Sequence, residues 1–198
     1  MGAYADLHHR SITDRESFWA EEARRIHWQR RFDQVLDYSR PPFARWFVGG
    51  LTNLCYNALD RHLAVRGDQP ALIYISTETD SEKTYTYREL HAAVNVMAAV
   101  IAAQGVGRGD RVLLYMPMVP EAVFAMLACA RLGAVHSVVF GGFAATSCAA
   151  RIDDAKPKLL ITADAGLRAG RAVRYKPLVD EALRLAQHPP QRVLVVNR

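Results

Sequence analysis

The sequence predicts an α/β fold built on a parallel sheet, and three observations carry that expectation. Four short apolar runs, residues 111–116, 135–140, 158–162 and 192–196, have the length and branched side chains of buried strands. Helical patterns separate them, which is the alternation that yields βαβ units and parallel pairing. Two of the runs end in groups suited to phosphate. Gly141-Gly142 follows one, and a loop bearing Arg168-Ala169-Gly170-Arg171 follows the next. Parallel sheets bind ligands beyond the carboxyl ends of their strands. Paired glycines admit close backbone approach, and guanidinium forks match phosphate geometry.

Residues 1–62 read differently, as a helical lead-in that must pack on something larger. Thr13-Asp14-Arg15-Glu16 fits a capping box, with Phe18, Trp19, Ala23 and Ile26 following at near-helical spacing. Pro41-Pro42 then breaks the chain, residues 43–57 look irregular and aromatic-rich, and a short helix is expected over 55–62.

Regular α/β patterning starts at Ala71. Residues 71–75 and 83–87 resemble a hairpin whose turn spans 77–82. Thr86-Tyr87-Arg88-Glu89 is a second capping box, and the helix after it places Leu90, Val94, Met97, Ala98 and Ile101 on one face. Pro120 opens the next helix and Gly133 closes it. Helical pattern resumes by Thr146 and again over 176–187, before the last strand. That strand has no helix after it, as though the chain had been cut from a larger one.

Composition narrows the function class. The chain has 198 residues, enough for a substantial core, and 51% are hydrophobic. No apolar run approaches membrane-span length, and residues 1–10 hold no apolar leader. Gly2 does not make a myristoylation signal, because Asp6 stands where a hydroxyl is needed. Cys55, Cys129 and Cys148 are far apart and unpaired in pattern, which fits a reducing, cytoplasmic setting and no metal. The net charge of +5 is scattered along the chain, so neither nucleic acid nor a membrane surface is the expected partner.

Several motifs have bland readings. Gly105-Val106-Gly107-Arg108-Gly109 leads from a helix into a strand, the reverse of a dinucleotide loop, so it reads as a helix stop and tight turn. Asp60-Arg61-His62 sets acid beside imidazole, yet adjacent residues do not face one another as a relay, and His62 reads as structural. Gly141-Gly142 alone suits a tight turn, and Arg168 with Arg171 alone suits a solvated loop. Their joint position at what look like neighbouring strand ends favours a phosphate site.

The strings themselves resemble a known family. Arg45-Trp46-Phe47-Val48-Gly49-Gly50, Asn53-Leu54-Cys55-Tyr56-Asn57 and Asp60-Arg61-His62 are similar to the amino-terminal signature of short-chain acyl-CoA synthetases, the AMP-forming, adenylate-forming group. Thr84-Tyr85-Thr86-Tyr87, Tyr115-Met116-Pro117-Met118, Pro120-Glu121-Ala122, Ala130-Arg131-Leu132-Gly133-Ala134 and the run from His136 to Phe143 continue the likeness. Within the family, Arg151-Ile152-Asp153-Asp154-Ala155-Lys156-Pro157-Lys158 and Tyr175-Lys176-Pro177-Leu178 look most like propionyl-CoA synthetases.

The resemblance implies an amino-terminal helical segment, 1–62, and an incomplete first α/β subdomain of the AMP-binding domain, 63–198. It implies a parent ligase that uses ATP, Mg²⁺, coenzyme A and propionate. Arg168, Ala169, Gly170 and Arg171 would bind coenzyme A, with Gly141 and Gly142 near its nucleotide. No catalytic residue and no metal ligand is expected in this stretch. The family's Ser/Thr/Gly-rich phosphate loop, ribose-binding aspartate, adenylation lysine and acyl pocket have no counterpart here, so the chain alone is expected to be inactive. It is also expected to expose an apolar patch where a second subdomain would pack, and to self-associate through it. An acetyl-preferring synthetase, or a non-catalytic module binding coenzyme A or nucleotide, are the alternatives.

Overall fold

The computed structural model describes residues 2–77, 79–168 and 170–197. The chain divides into two compact units, one up to Asn53 and one from Leu54 onwards.

The first unit holds helices α1 (Ala3–Thr13) and α2 (Arg15–Glu22) and an antiparallel hairpin, β1 (Gln34–Arg40) with β2 (Phe43–Val48). The capping box expected at Thr13 does not form. Residues before Thr13 are already helical, so its hydroxyl donates back to the His9 carbonyl at 2.9 Å instead of capping α2. Pro41-Pro42 marks the tip of the hairpin, and the segment read as irregular is its second strand. Every residue of β2 is at least partly exposed, and its sequence shows no alternation of apolar and polar residues. Backbone pairing and aromatic packing hold it instead. Trp28, Phe32 and Phe47 lie with ring centroids 5.0–5.3 Å apart. Gly50 makes room for this cluster, since a Cβ there would stand 2.7 Å from the Trp28 ring.

The second unit begins with α3 (Leu54–Ala58), a helical turn at Asp60–His62 and α4 (Leu63–Arg66). The predicted hairpin follows as β3 (Pro70–Ser76) and β4 (Ser81–Thr86). The capping box at Thr86 is present in full: its hydroxyl accepts from the Glu89 N–H, and the Glu89 carboxylate accepts from the Thr86 N–H. It starts α5 (Tyr87–Ala103), whose Leu90, Val94, Ala98 and Ile101 are buried.

The main sheet contains β5 (Arg111–Tyr115), β6 (Val135–Val139), β7 (Leu159–Ala163) and β10 (Arg192–Val196), all parallel, in the order β10-β7-β5-β6. Between them run α6 (Pro120–Leu132), α7 (Ala145–Ala155), a small hairpin of β8 (Gly166–Arg168) and β9 (Arg171–Val173), and α8 (Tyr175–Leu185). Every residue of β7 is buried, as a central strand covered on both faces requires. Val112, Leu114, Leu159 and Ile161 face α5 and α6, while Leu113, Tyr115 and Leu160 face α7 and α8. This alternation divides the core into two layers. No helix among the described residues is long and apolar enough to cross a membrane.

Candidate functional site

Four segments meet at the carboxyl edge of this sheet. The chain leaves β5 through Met116-Pro117-Met118, leaves β6 through Phe140-Gly141-Gly142, and leaves β7 through Asp164 into the β8–β9 hairpin. The end of β3 supplies the fourth. Together they line a cavity of about 330 Å³, with Met116, Pro117, Gly141, Gly142, Leu167 and Tyr175 among its walls. The glycine turn and the start of the arginine hairpin therefore share one surface. They do not leave neighbouring strands, as their spacing suggested, because β5 lies between β6 and β7. A βαβ crossover returns the chain to whichever side of β5 its helix covers, and short-range pattern does not specify that side.

The arginine loop is itself a hairpin. Its strands pair Gly166 with Val173, Leu167 with Ala172 and Arg168 with Arg171, so the two arginines stand opposite one another at its tip. Gly170 closes the turn with φ +72°, a left-handed conformation that glycine adopts without strain, and no atom would touch a Cβ placed there. Arg171 is exposed and makes no ion pair among the described residues. Ala169 lies outside the described residues.

The glycine turn is gripped from beneath. The Tyr115 hydroxyl donates to the Phe143 carbonyl at 2.6 Å, and the Phe143 N–H bonds to the Phe140 carbonyl at 3.0 Å. Burial pushes the Tyr115 phenol up to about 12, so it stays a hydrogen-bond donor. The Arg151 guanidinium lies 4.4 Å from the centre of the Phe143 ring. At the end of β7, the Thr162 hydroxyl donates to the Tyr115 carbonyl at 2.7 Å, and Asp164 accepts from the Lys176 N–H, tying α8 to the strand end. These bonds hold the site's rim on the rigid sheet rather than on free loops.

The three cysteines and the Asp60 cluster are structural. Burial raises the thiols of Cys129 and Cys148 to about 11 and raises Cys55 as well, so none is a poised nucleophile. Asp60 forms a two-pronged bond with Arg131, at 2.8 and 2.9 Å, and His91 Nε2 approaches it at 3.3 Å. Burial alone would raise the Asp60 carboxyl, but the guanidinium outweighs it and the net shift is downward. The His62 ring lies 5.6 Å from that of Tyr87, tilted by 59°. The Asp60-Arg61-His62 motif is thus an anchor between the turn at Asp60–His62 and α6, with no relay in it. Sequence reasoning missed Tyr115 and Tyr175, the two aromatic residues under the site. Only their place beside a strand end and a helix start hinted at them.

Residues 59–197 match the model of the AMP-binding enzyme family, and residues 4–58 match that of the acetyl-coenzyme A synthetase N-terminus. The chain belongs to the AMP-binding enzyme family. A propionate–CoA ligase of Salmonella typhimurium is 57% identical over 99% of this chain and 31% of its own length. An acetyl-coenzyme A synthetase of Methylorubrum extorquens is 50% identical over 98% of the chain and 30% of its own length. The acetoacetyl-CoA synthetase structure from Streptomyces lividans superposes with a TM-score of 0.88 at 30% identity, covering 98% of this chain and 32% of that one. The chain's α/β architecture with its parallel four-stranded sheet is thus a close structural match to part of that synthetase. The chain spans about a third of the length of the relatives it matches.

Proposed function

We propose that this chain forms the amino-terminal part of an AMP-forming ligase that joins propionate to coenzyme A, and that the carboxyl-edge surface receives coenzyme A. In the first half-reaction, a carboxylate oxygen attacks the α-phosphorus of magnesium-bound ATP. The bond to pyrophosphate breaks, leaving an acyl-adenylate. In the second, the coenzyme A sulfur attacks the acyl carbon, the bond to AMP breaks, and the thiol proton passes to solvent. The observation that carries this reading is the β8–β9 hairpin, which pairs Arg168 with Arg171 in register at its tip and whose Leu167 lines the same cavity as the glycine turn. Phosphate is the group such a pair suits. Propionate is favoured over acetate by 57% against 50% identity among the relatives. The buried, unpaired thiols suit a cytoplasmic setting.

In this reading the chain alone carries out neither half-reaction, since the residues that hold ATP lie outside it. The exposed apolar side chains at the rim, Met118, Ile73, Ile75 and Phe140, supply a surface for the second subdomain and for self-association when it is absent. The deciding experiment uses the complete reading frame and compares Arg171→Ala with wild type on acetate, propionate and butyrate. A lost charged hydrogen bond of about 1.5–3 kcal/mol raises the KM for coenzyme A roughly 10- to 100-fold. ATP–pyrophosphate exchange should persist. A parallel loss of both activities would make the hairpin structural and remove the coenzyme A assignment.

A further inference from the structure

Two glycines at the site are there for space, and one side chain fills the space they leave. A Cβ on Gly141 would meet the Tyr175 hydroxyl at 2.4 Å and its ring at 3.1 Å. A Cβ on Gly166 would meet the same ring at 2.9 Å and Pro117 at 2.8 Å. Neither glycine has a left-handed φ. Their lack of a side chain thus serves the close approach of Tyr175. The ring is 4% exposed and packs against Tyr115, centroids 5.2 Å apart at 63°. Tyr115 in turn holds the Phe143 carbonyl at the far side of the glycine turn.

Tyr175 therefore lies against two of the segments that form the site: the glycine turn at Gly141, and the arginine hairpin at Gly166, the first residue of β8. It is also joined covalently to that hairpin, because Arg174 alone separates it from the end of β9. The N-terminus of α8 is pinned to β7, where the Lys176 N–H bonds to the Asp164 carbonyl. One ring thus lies between the glycine turn and the base of the arginine hairpin.

From this geometry we infer that Tyr175 is a positioning residue for the coenzyme A half-reaction, holding the glycine turn and the arginine hairpin in register. The inference rests on the coenzyme A reading given above. Tyr175 contacts no reacting atom in it. Its ring acts through Gly141, Gly166 and the hairpin, so its removal should affect the substrate those segments bind and spare the others.

The test uses the full-length reading frame and measures KM for coenzyme A, ATP and propionate in Tyr175→Leu, Tyr175→Phe and Arg171→Ala. A small displacement of binding groups costs about ten- to a hundredfold, so Tyr175→Leu should raise the coenzyme A KM by that order while the other two KM values stay within about twofold. Tyr175→Phe keeps the ring and should raise the coenzyme A KM less than Tyr175→Leu does. Equal rises in all three KM values, or no rise for coenzyme A, would overturn the inference. If Arg171→Ala leaves the coenzyme A KM unmoved, the underlying reading of the site is what fails. Should Tyr175→Leu not fold, Gly141→Ala supplies the second probe, because its Cβ must displace the Tyr175 hydroxyl. Gly141→Ala should raise the coenzyme A KM, and adding Tyr175→Phe should recover part of the loss. Strict additivity of the two substitutions would overturn the coupling.

Discussion

The two edges of the main sheet are both rich in glycine, and at the carboxyl edge two glycines serve a purpose that none serves at the amino edge. At the amino edge, Gly105, Gly109 and Gly133 have φ of +84°, +82° and +71°, and a Cβ there would meet at most the flexible side chains of Lys158, at 3.8 Å from Gly105, and Arg108, at 3.2 Å from Gly133. There glycine supplies backbone conformation. At the carboxyl edge, Gly141 and Gly166 lack positive φ, and the space above them is filled by Tyr175. At these two positions glycine supplies volume, whereas Gly170 at the tip of the β8–β9 hairpin has φ +72° and supplies conformation. The amino edge is also closed by charge: Lys158 binds Asp110 at 2.9 Å, and Arg111 donates to the last carbonyls of α7. The carboxyl edge leaves Met118 92% exposed and Arg171 open to solvent. One edge is closed by an ion pair and hydrogen bonds, and the other is left open. A glycine-rich stretch therefore says little about a site until its conformation and neighbours are known.

Substitution should separate the two kinds of glycine. Gly141→Ala is expected to have the larger effect, because its Cβ collides with a buried ring and with the Met116 carbonyl at 3.0 Å. Overpacking of this kind costs about 1–3 kcal/mol, a loss of roughly 3–10 °C in Tm for a chain of this size. Gly109→Ala meets no atom and bears only the left-handed backbone cost, about 1–2 kcal/mol. Adding Tyr175→Phe should soften the first and leave the second unchanged. Thermal unfolding of the four proteins checks this, and equal responses at both glycines would erase the distinction drawn here.

A smaller effect is expected with pH. Asp60 is held below the ordinary carboxylate range by Arg131, with His91 contributing, against a burial penalty that acts the other way. A carboxylate lowered on folding stabilises the protein above its unfolded value, about 3.9, and that stabilisation fades as pH falls through the lowered value. Asp60→Asn should therefore be less stable than wild type near neutrality and should change less in stability between about pH 5 and pH 3. Urea unfolding at the two pH values measures it. An acid response identical to wild type would show that the Asp60–Arg131 tie contributes nothing to acid sensitivity.

Much of the α/β unit was legible in the residues. The strands at 111–115, 135–139, 159–163 and 192–196 announce themselves as short apolar runs between helical patterns, and Thr86 with Glu89 marks the start of α5. These signals are local. They arise from burial on both faces and from hydrogen bonds within one turn of chain. The hairpin of β1 and β2 was not legible, because its exposed second strand carries no alternation. The box at Thr13 misled for a related reason: a local motif gives way when the preceding residues are already helical.

By themselves, the residues determined the fold class, the parallel alternation and which two loops carry glycine and arginine. Their strings also carried the likeness to acyl-CoA synthetases that the family match bears out. Only the tertiary structure decided that β5 separates β6 from β7, that the arginine loop is a hairpin, and that Tyr175 sits in the space left by Gly141 and Gly166. The reason is range. Propensity and periodicity act over a few residues, whereas strand order and the fit of one ring between two glycines depend on groups that meet only after the sheet has formed.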